Sequence, residues 1–386
     1  MRSPRRPRCP PVAEPDPQHT DESEETVATT TAHRPGDPLD QAAARAFRLT
    51  WPAVLGGVAL LALAALVSVT QGAAGLSVEG VLRSLVGALP GLSVEQTLTD
   101  QQQAVLWQIR LPRTALAALV GASLAVAGAG YQGVFRNPLA DPYLLGVSAG
   151  AGLGAVLALG FGLDLSWGPV GALPAAAFVG ALLAVTGSVV VARGSFRDPA
   201  TLLLAGVAMA ALFSASQTFA LQRLDQTAAR EVLSWLFGRL ATHGWPPVLL
   251  LLPYVLLAGL VLLLHARHLD VLRLGDDEAR ALGLSPARSR LVVVGAATLI
   301  TAAAVSVSGL IGFVGLVTPH VVRLLVGHSY RVLVPLSALV GAAFLTIADV
   351  GARTLAAPAE LPVGVITAFV GAPFFSFVLW RGRQDP

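Results

Sequence analysis

Gln108-Ile109-Arg110-Leu111-Pro112-Arg113 and Arg136-Asn137-Pro138-Leu139-Ala140-Asp141-Pro142 enclose an apolar run from Thr114 to Gly133 that is built largely of Ala, Gly, Leu and Val. A run of about 20 such residues crosses a hydrocarbon layer of about 30 Å as a helix, because no backbone group in lipid can be left without an internal partner. Arginines stand before the run, and a proline-rich polar turn follows it. The segment therefore reads as one membrane span with a distinct polar signature at each end.

Working outward, the same pattern recurs. Hydrophobic residues make up 54% of the 386 and charged residues 13%, about half the charge of an ordinary soluble chain. The expected fold is an all-α integral membrane protein of about ten spans. The spans are placed at 52–69, 114–133, 144–162, 171–192, 201–221, 248–265, 289–308, 312–326, 332–355 and 362–380. Nothing shows the alternation of a membrane barrel. Residues 1–46 are rich in Pro, Asp, Glu, Thr and Arg without apolar periodicity, and are expected to form a disordered tail before a permease domain at 47–386. Arg5-Arg6 lies too far from the first apolar run to serve as an export signal, so that run is expected to stay as an uncleaved anchor.

Ten crossings place both termini on one side. With that side inside, arginines favour the interior faces by about two to one, so both termini are expected in the cytoplasm. Every basic residue is arginine. A phosphate-binding loop needs a lysine to reach the terminal phosphates, so any ATP that drives this chain must be bound elsewhere. Cys9 is the single cysteine, which excludes an internal disulfide and a thiolate cluster. His265 and His268 stand one helical turn apart without a nearby third ligand, so no metal site is expected.

Several features carry more than span information. Gly146, Gly150 and Gly154 recur at intervals of four and would form a stripe where a second helix backbone approaches closely. Gly130-Tyr131-Gln132-Gly133 ahead of Pro138 is faintly echoed by Gly312-Phe313-Val314-Gly315 ahead of Pro319. Asp349 and Arg353 are four apart on one helix face, which leaves two readings: an ion pair, or a proton or sodium site at Asp349 or Glu360 in an ion-coupled transporter. In the loop 267–290, Asp276-Asp277-Glu278-Ala279-Arg280-Ala281-Leu282-Gly283 has acidic residues first and glycine last, the start and stop signals of a short helix. Pro319 and Pro362 are expected to break or begin helices.

Taken in order, these segments resemble the FecCD/BtuC-type permease subunits of ABC importers for iron-siderophores, haem or vitamin B12, and the resemblance extends over nearly all of residues 107–380. It rests on the block Asn137, Pro138, Leu139, Ala140, Asp141 and Pro142, on Gly146 and Gly150, on the block around Pro319, and on the block around Pro362. What the resemblance implies is a homodimer whose shared interface forms the pathway, with two cytoplasmic ATPase subunits carrying ATP and Mg and one extracytoplasmic substrate-binding protein. It implies that Arg110, Arg113 and Arg353 dock the binding protein, that Glu278, Ala281, Leu282 and Gly283 contact the ATPase, and that Trp235 and Gly238 contribute to a gate. The chain itself is expected to bind no cofactor, metal or nucleic acid and to catalyse no reaction. The charges at Arg223, Asp225, Arg230, Glu231 and Arg239 are expected to suit its particular binding protein.

Overall fold

The computed structural model describes residues 51–381 apart from 73–74, 93–94, 161, 163–170, 195, 197 and 241–243, so the amino-terminal tail with Cys9 lies outside the described residues. The first helix, α1, spans Trp51–Thr70, and the short α2, Val78–Gly87, follows with Ser77 as its N-cap. α3, Asp100–Val105, begins with a reciprocal cap: Thr99 accepts from the Gln102 amide and Gln102 returns a bond to Thr99. A single π turn at Leu106–Arg110 joins it to α4, Leu111–Phe135.

Nine further helices, some spanning and some not, complete the outer and inner ends up to the carboxy-terminal pair. α5 is Val147–Gly160, α6 Ala172–Val191, α7 Pro199–Leu221 and α8 Gln226–Leu236. α9 is Pro246–Leu264, and two short helices follow, α10 Ala266–Leu272 and α11 Asp276–Ala281. α12 is Pro286–Ser308 and α13 Val314–Val326. Last come α14, Tyr330–Thr354, and α15, Val363–Arg381. Among the described residues seven helices are long and apolar enough to cross a membrane, and α5, α13 and α15 are shorter apolar helices, so the ten expected spans each find a counterpart. At about 1.5 Å per residue, α5 and α13 reach only about 20 Å, short of a hydrocarbon layer of about 30 Å.

Helix α4 is the axis of the fold. Most of it is buried, and α12, α13 and α14 pack around it. Close approach is made possible by missing side chains: a Cβ on Gly121 would lie 2.2 Å from the Gly341 carbonyl oxygen of α14, and one on Gly180 of α6 2.2 Å from that of Gly150. Lipid offers no hydrophobic drive for helix association, so this backbone-to-backbone contact supplies the dispersion that holds the bundle.

Three expectations need correcting. Gly146 is not on the α5 helix; it ends the preceding loop at φ +84°, beside Ala210 of α7, so the stripe consists of Gly150 and Gly154 against α6. Pro319 does not break a helix but sits inside α13, whereas Pro362 directly precedes α15 as expected. The faint echo between 130–133 and 312–315 falls at opposite ends of helices: the first lies in the last turns of α4 and the second straddles the start of α13.

Candidate functional site

The two ends of α4 carry different chemistry. At its start, the Arg113 guanidinium Nε lies 3.1 Å from both oxygens of Asp349, and its Nη1 and Nη2 each lie 3.0 Å from one oxygen of Glu360. Arg353 donates from Nε to Asp349 at 3.0 Å and from Nη2 to the Ser68 carbonyl and hydroxyl, both at 3.1 Å. The Gln71 carbonyl then accepts from Arg110 at 2.9 Å and from Arg353 at 3.2 Å. The network thus joins α1, α4, α14 and the segment that leads into α15.

Asp349 is fully buried, so two guanidiniums are needed to compensate its charge. Glu360 is half exposed, and the hydrogen bond from Arg113 holds its carboxyl below the usual range. The three arginines expected to form a platform do assemble, yet Arg113 and Arg353 are committed to carboxylates of this chain. Arg110 has no carboxylate partner among the described residues, only the Gln71 carbonyl. The pairing of Asp349 with Arg353 follows from their spacing; the reach of Arg113 to both carboxylates is a long-range contact with no local signal.

At the far end of α4, Arg136 caps the helix in the left-handed region at φ +49° and pairs with Asp276, the first residue of α11. Arg290, only 2% exposed at the base of α12, grips the same carboxylate at 2.6 and 2.9 Å and donates to the Phe196 carbonyl at 3.1 Å. These arginines, Arg290 first, hold the Asp276 carboxyl below its ordinary value. Gly283, at φ +79°, closes α11: its amide bonds to the Arg280 carbonyl and that of Leu284 to the Ala279 carbonyl, both at 2.9 Å. Glu278, Ala281, Leu282 and Gly283 are all exposed, so α11 is a short knob clamped at its root and open at its tip. Sequence reasoning placed the knob and missed the Asp276 clamp.

Between α4 and α5 the proline-rich block is a rigid turn. The Asn137 side chain accepts from the Leu139 amide at 2.9 Å and that of Asp141 from the Tyr143 amide at 2.8 Å. Ala140 and Pro142 are buried, Pro138 and Leu139 exposed, and the Tyr143 hydroxyl exchanges bonds with the carbonyl and amide of Ile311 at 3.0 and 3.2 Å.

The expected gate residues sit at a junction. Asp225 caps α8 through the amides of Thr227 and Ala228, which gives one charge of that loop a structural use. Gly238 follows α8 at φ +80°, its carbonyl accepts from the Val363 amide at 3.1 Å, and the Trp235 carbonyl packs on Gly309. Beside them opens an apolar cavity of about 600 Å³ lined by Phe237, Leu310, Phe313, Gly364, Phe369 and Pro373. Phe313 adopts φ +68°, a costly conformation for an aromatic residue, at the start of α13.

Comparison with known proteins settles the family. The model of the FecCD transport family matches residues 60–381. The chain belongs to the FecCD transport family. Among the relatives of this FecCD permease, the cobalamin import system permease BtuC of Halobacterium salinarum is 46% identical over 289 residues, covering 74% of this chain and 75% of that one. The hemin transport system permease HmuU of Yersinia pestis is 41% identical over 295 residues, covering 75% and 87%. A metal-chelate type ABC transporter solved in an inward-facing conformation superposes with a TM-score of 0.74 at 32% identity, covering 85% of this chain and 98% of the other. The FecCD permease is thus a multi-pass ABC importer subunit, and the clamped α11 knob and the arginine network are features of its two opposite ends.

Proposed function

We propose that this FecCD permease moves a ferric siderophore across the cytoplasmic membrane, with haem or a corrinoid as neighbouring possibilities, driven by ATPase subunits on separate chains. Two copies would form the pathway between them, with both termini in the cytoplasm. The 600 Å³ apolar cavity and the exposed face of α7, which carries Ser214 and Thr218, would face that pathway. Walls of Ala, Gly, Leu and Thr offer few tight ligands, which favours passage over retention.

One observation carries the reading. A single 25-residue helix, α4, has the arginine network at its start and the α11 clamp at its end, about 37 Å apart. An external binding protein presenting carboxylates would meet Arg110 and the rim of Arg113 and Arg353, and an ATPase groove would receive Glu278, Ala281, Leu282 and Gly283. The ion-coupled alternative would need Asp349 or Glu360 free to take up an ion, but Arg113 engages both carboxylates. The test is uptake by the purified permease in vesicles with and without its ATPase. Accumulation that follows ATP supports the proposal; accumulation by the permease alone, following an ion gradient, overturns it.

A further inference from the structure

The end of the molecule that carries α11 also holds a pocket of about 280 Å³ among the carboxy-terminal turn of α4, the α10–α11 link and the α13–α14 turn. Its charged lining is Arg136, Arg273 and Arg323, with His328 and Gln132 beside them. Arg136 pairs with Asp276, a carboxylate it shares with Arg290. Arg273 and Arg323 have no carboxylate within ion-pair distance among the described residues: Arg273 donates to the His328 carbonyl at 2.9 Å, and Arg323 to the Gln132 side-chain oxygen at 2.9 Å. The remaining Nη1 of Arg323 is buried with no hydrogen-bond partner.

A buried charged donor without an acceptor is unfavourable unless something fills the site. Burial first, and then the charges of Arg273 and Arg323, keep the His328 imidazole below its ordinary value, and the ring stands in the lining as a further hydrogen-bonding group. Water could satisfy a single donor, but two guanidiniums with no carboxylate beside them favour an anion with several acceptor oxygens. Outside the pocket lining, Leu324 and Leu325, 70% and 74% exposed, follow Arg323 on α13, and Leu274, 63% exposed, follows Arg273. A phospholipid joins an anionic head to chains that exposed leucines on the neighbouring helix surface could cover, and basic pockets between helices at the cytoplasmic surface attract such lipids. We infer that this pocket holds the phosphate of an anionic phospholipid, through Arg273 and Arg323, with its acyl chains along Leu324 and Leu325. The choice of leaflet rests on the orientation proposed above; the occupancy does not.

The experiment uses the full chain purified in neutral detergent, with thermal unfolding followed while phosphatidylglycerol, phosphatidylcholine or inorganic phosphate is added. Phosphatidylglycerol should raise the midpoint saturably, and phosphatidylcholine should not. Arg273→Gln with Arg323→Gln should weaken the apparent affinity roughly 30-fold, and Arg273→Gln alone, which leaves the Gln132 contact intact, about fivefold. Arg381→Gln, at the end of α15, should leave the titration unchanged. Wild-type behaviour of the double variant overturns the site. Equal protection by inorganic phosphate at the same concentration overturns the lipid assignment, as does expulsion of bound lipid by a co-expressed ATPase, which would give the pocket to a carboxylate of that partner. Transport is not measured, so failure of the transport proposal would leave these readouts untouched.

Discussion

Gln132 of α4 donates its side-chain amide to the Gly315 carbonyl of α13 at 3.3 Å. Pro319, four residues further along, has no amide to offer that carbonyl, so a neighbouring helix supplies the missing donor. The Gln132 oxygen meanwhile accepts from Arg323, and one side chain thereby closes two gaps. Gln132→Leu is expected to leave the carbonyl unsatisfied and cost about 1–3 kcal/mol, read as a lower unfolding midpoint in detergent. A midpoint equal to wild type would show that the bond adds nothing.

Asp349 makes the sharpest stability prediction. Replacing it with Asn leaves the mostly buried Arg353 without a carboxylate and Arg113 with Glu360 alone, at a cost of about 3–5 kcal/mol. Glu360→Gln removes a half-exposed partner and should cost about 1 kcal/mol or less. Chemical unfolding of the two variants should rank them in that order. Asp349→Asn of full stability that had lost proton-coupled uptake would instead support the ion-coupled reading.

For docking, the geometry separates the arginines. Arg110→Glu should weaken capture of the binding protein, most at low salt, without unfolding the chain, since Arg110 bonds only to a carbonyl. Arg113→Glu should damage capture and stability together, because it sets a like charge against Asp349 and Glu360. Pull-down against the cognate binding protein, paired with unfolding curves, reads both; unaltered capture by Arg110→Glu would remove it from the interface.

The α11 clamp predicts a pH dependence. Because Arg290 and Arg136 depress the Asp276 carboxyl, its contribution is present above the unfolded value near 4 and is lost as pH falls through the lower folded value. Hydrogen exchange at 276–281 should therefore quicken as the pH drops below about 4, after correction for intrinsic rates. In Asp276→Asn it should be fast throughout; a protected, pH-independent variant would count against the clamp.

Gly283 separates strain from contact. A Cβ there meets nothing within 4 Å, but φ is +79°, so Gly283→Ala should loosen the end of α11 by about 1–2 kcal/mol without disturbing the bundle. ATP turnover should then persist while uptake falls. Gly295→Ala on α12, also with open space and within a helix, is the neutral control.

The sequence alone made the helices legible because span length is a property of composition: Trp51–Thr70 and Ala172–Val191 fall within a residue of the expected limits. The α11 knob was legible from its acidic start and glycine stop. Illegible were the contacts between distant residues: Arg113 with Glu360, Arg290 with Asp276, Gln132 with Gly315. Each joins polar groups from different helices, and nothing in local periodicity selects the partner. Gly146 misled for a related reason, since a glycine four residues before another fits a helical stripe and a left-handed turn equally well.

The contacts of Gly121 on Gly341 and of Gly128 on Gly315 leave no room for a single methyl group. Helices seated so tightly cannot roll against each other by small degrees without a collision of main chains. Whatever rocking opens and shuts a passage must then fall to the looser periphery, α7, α9 and α15, turning about a stator made of α4, α13 and α14.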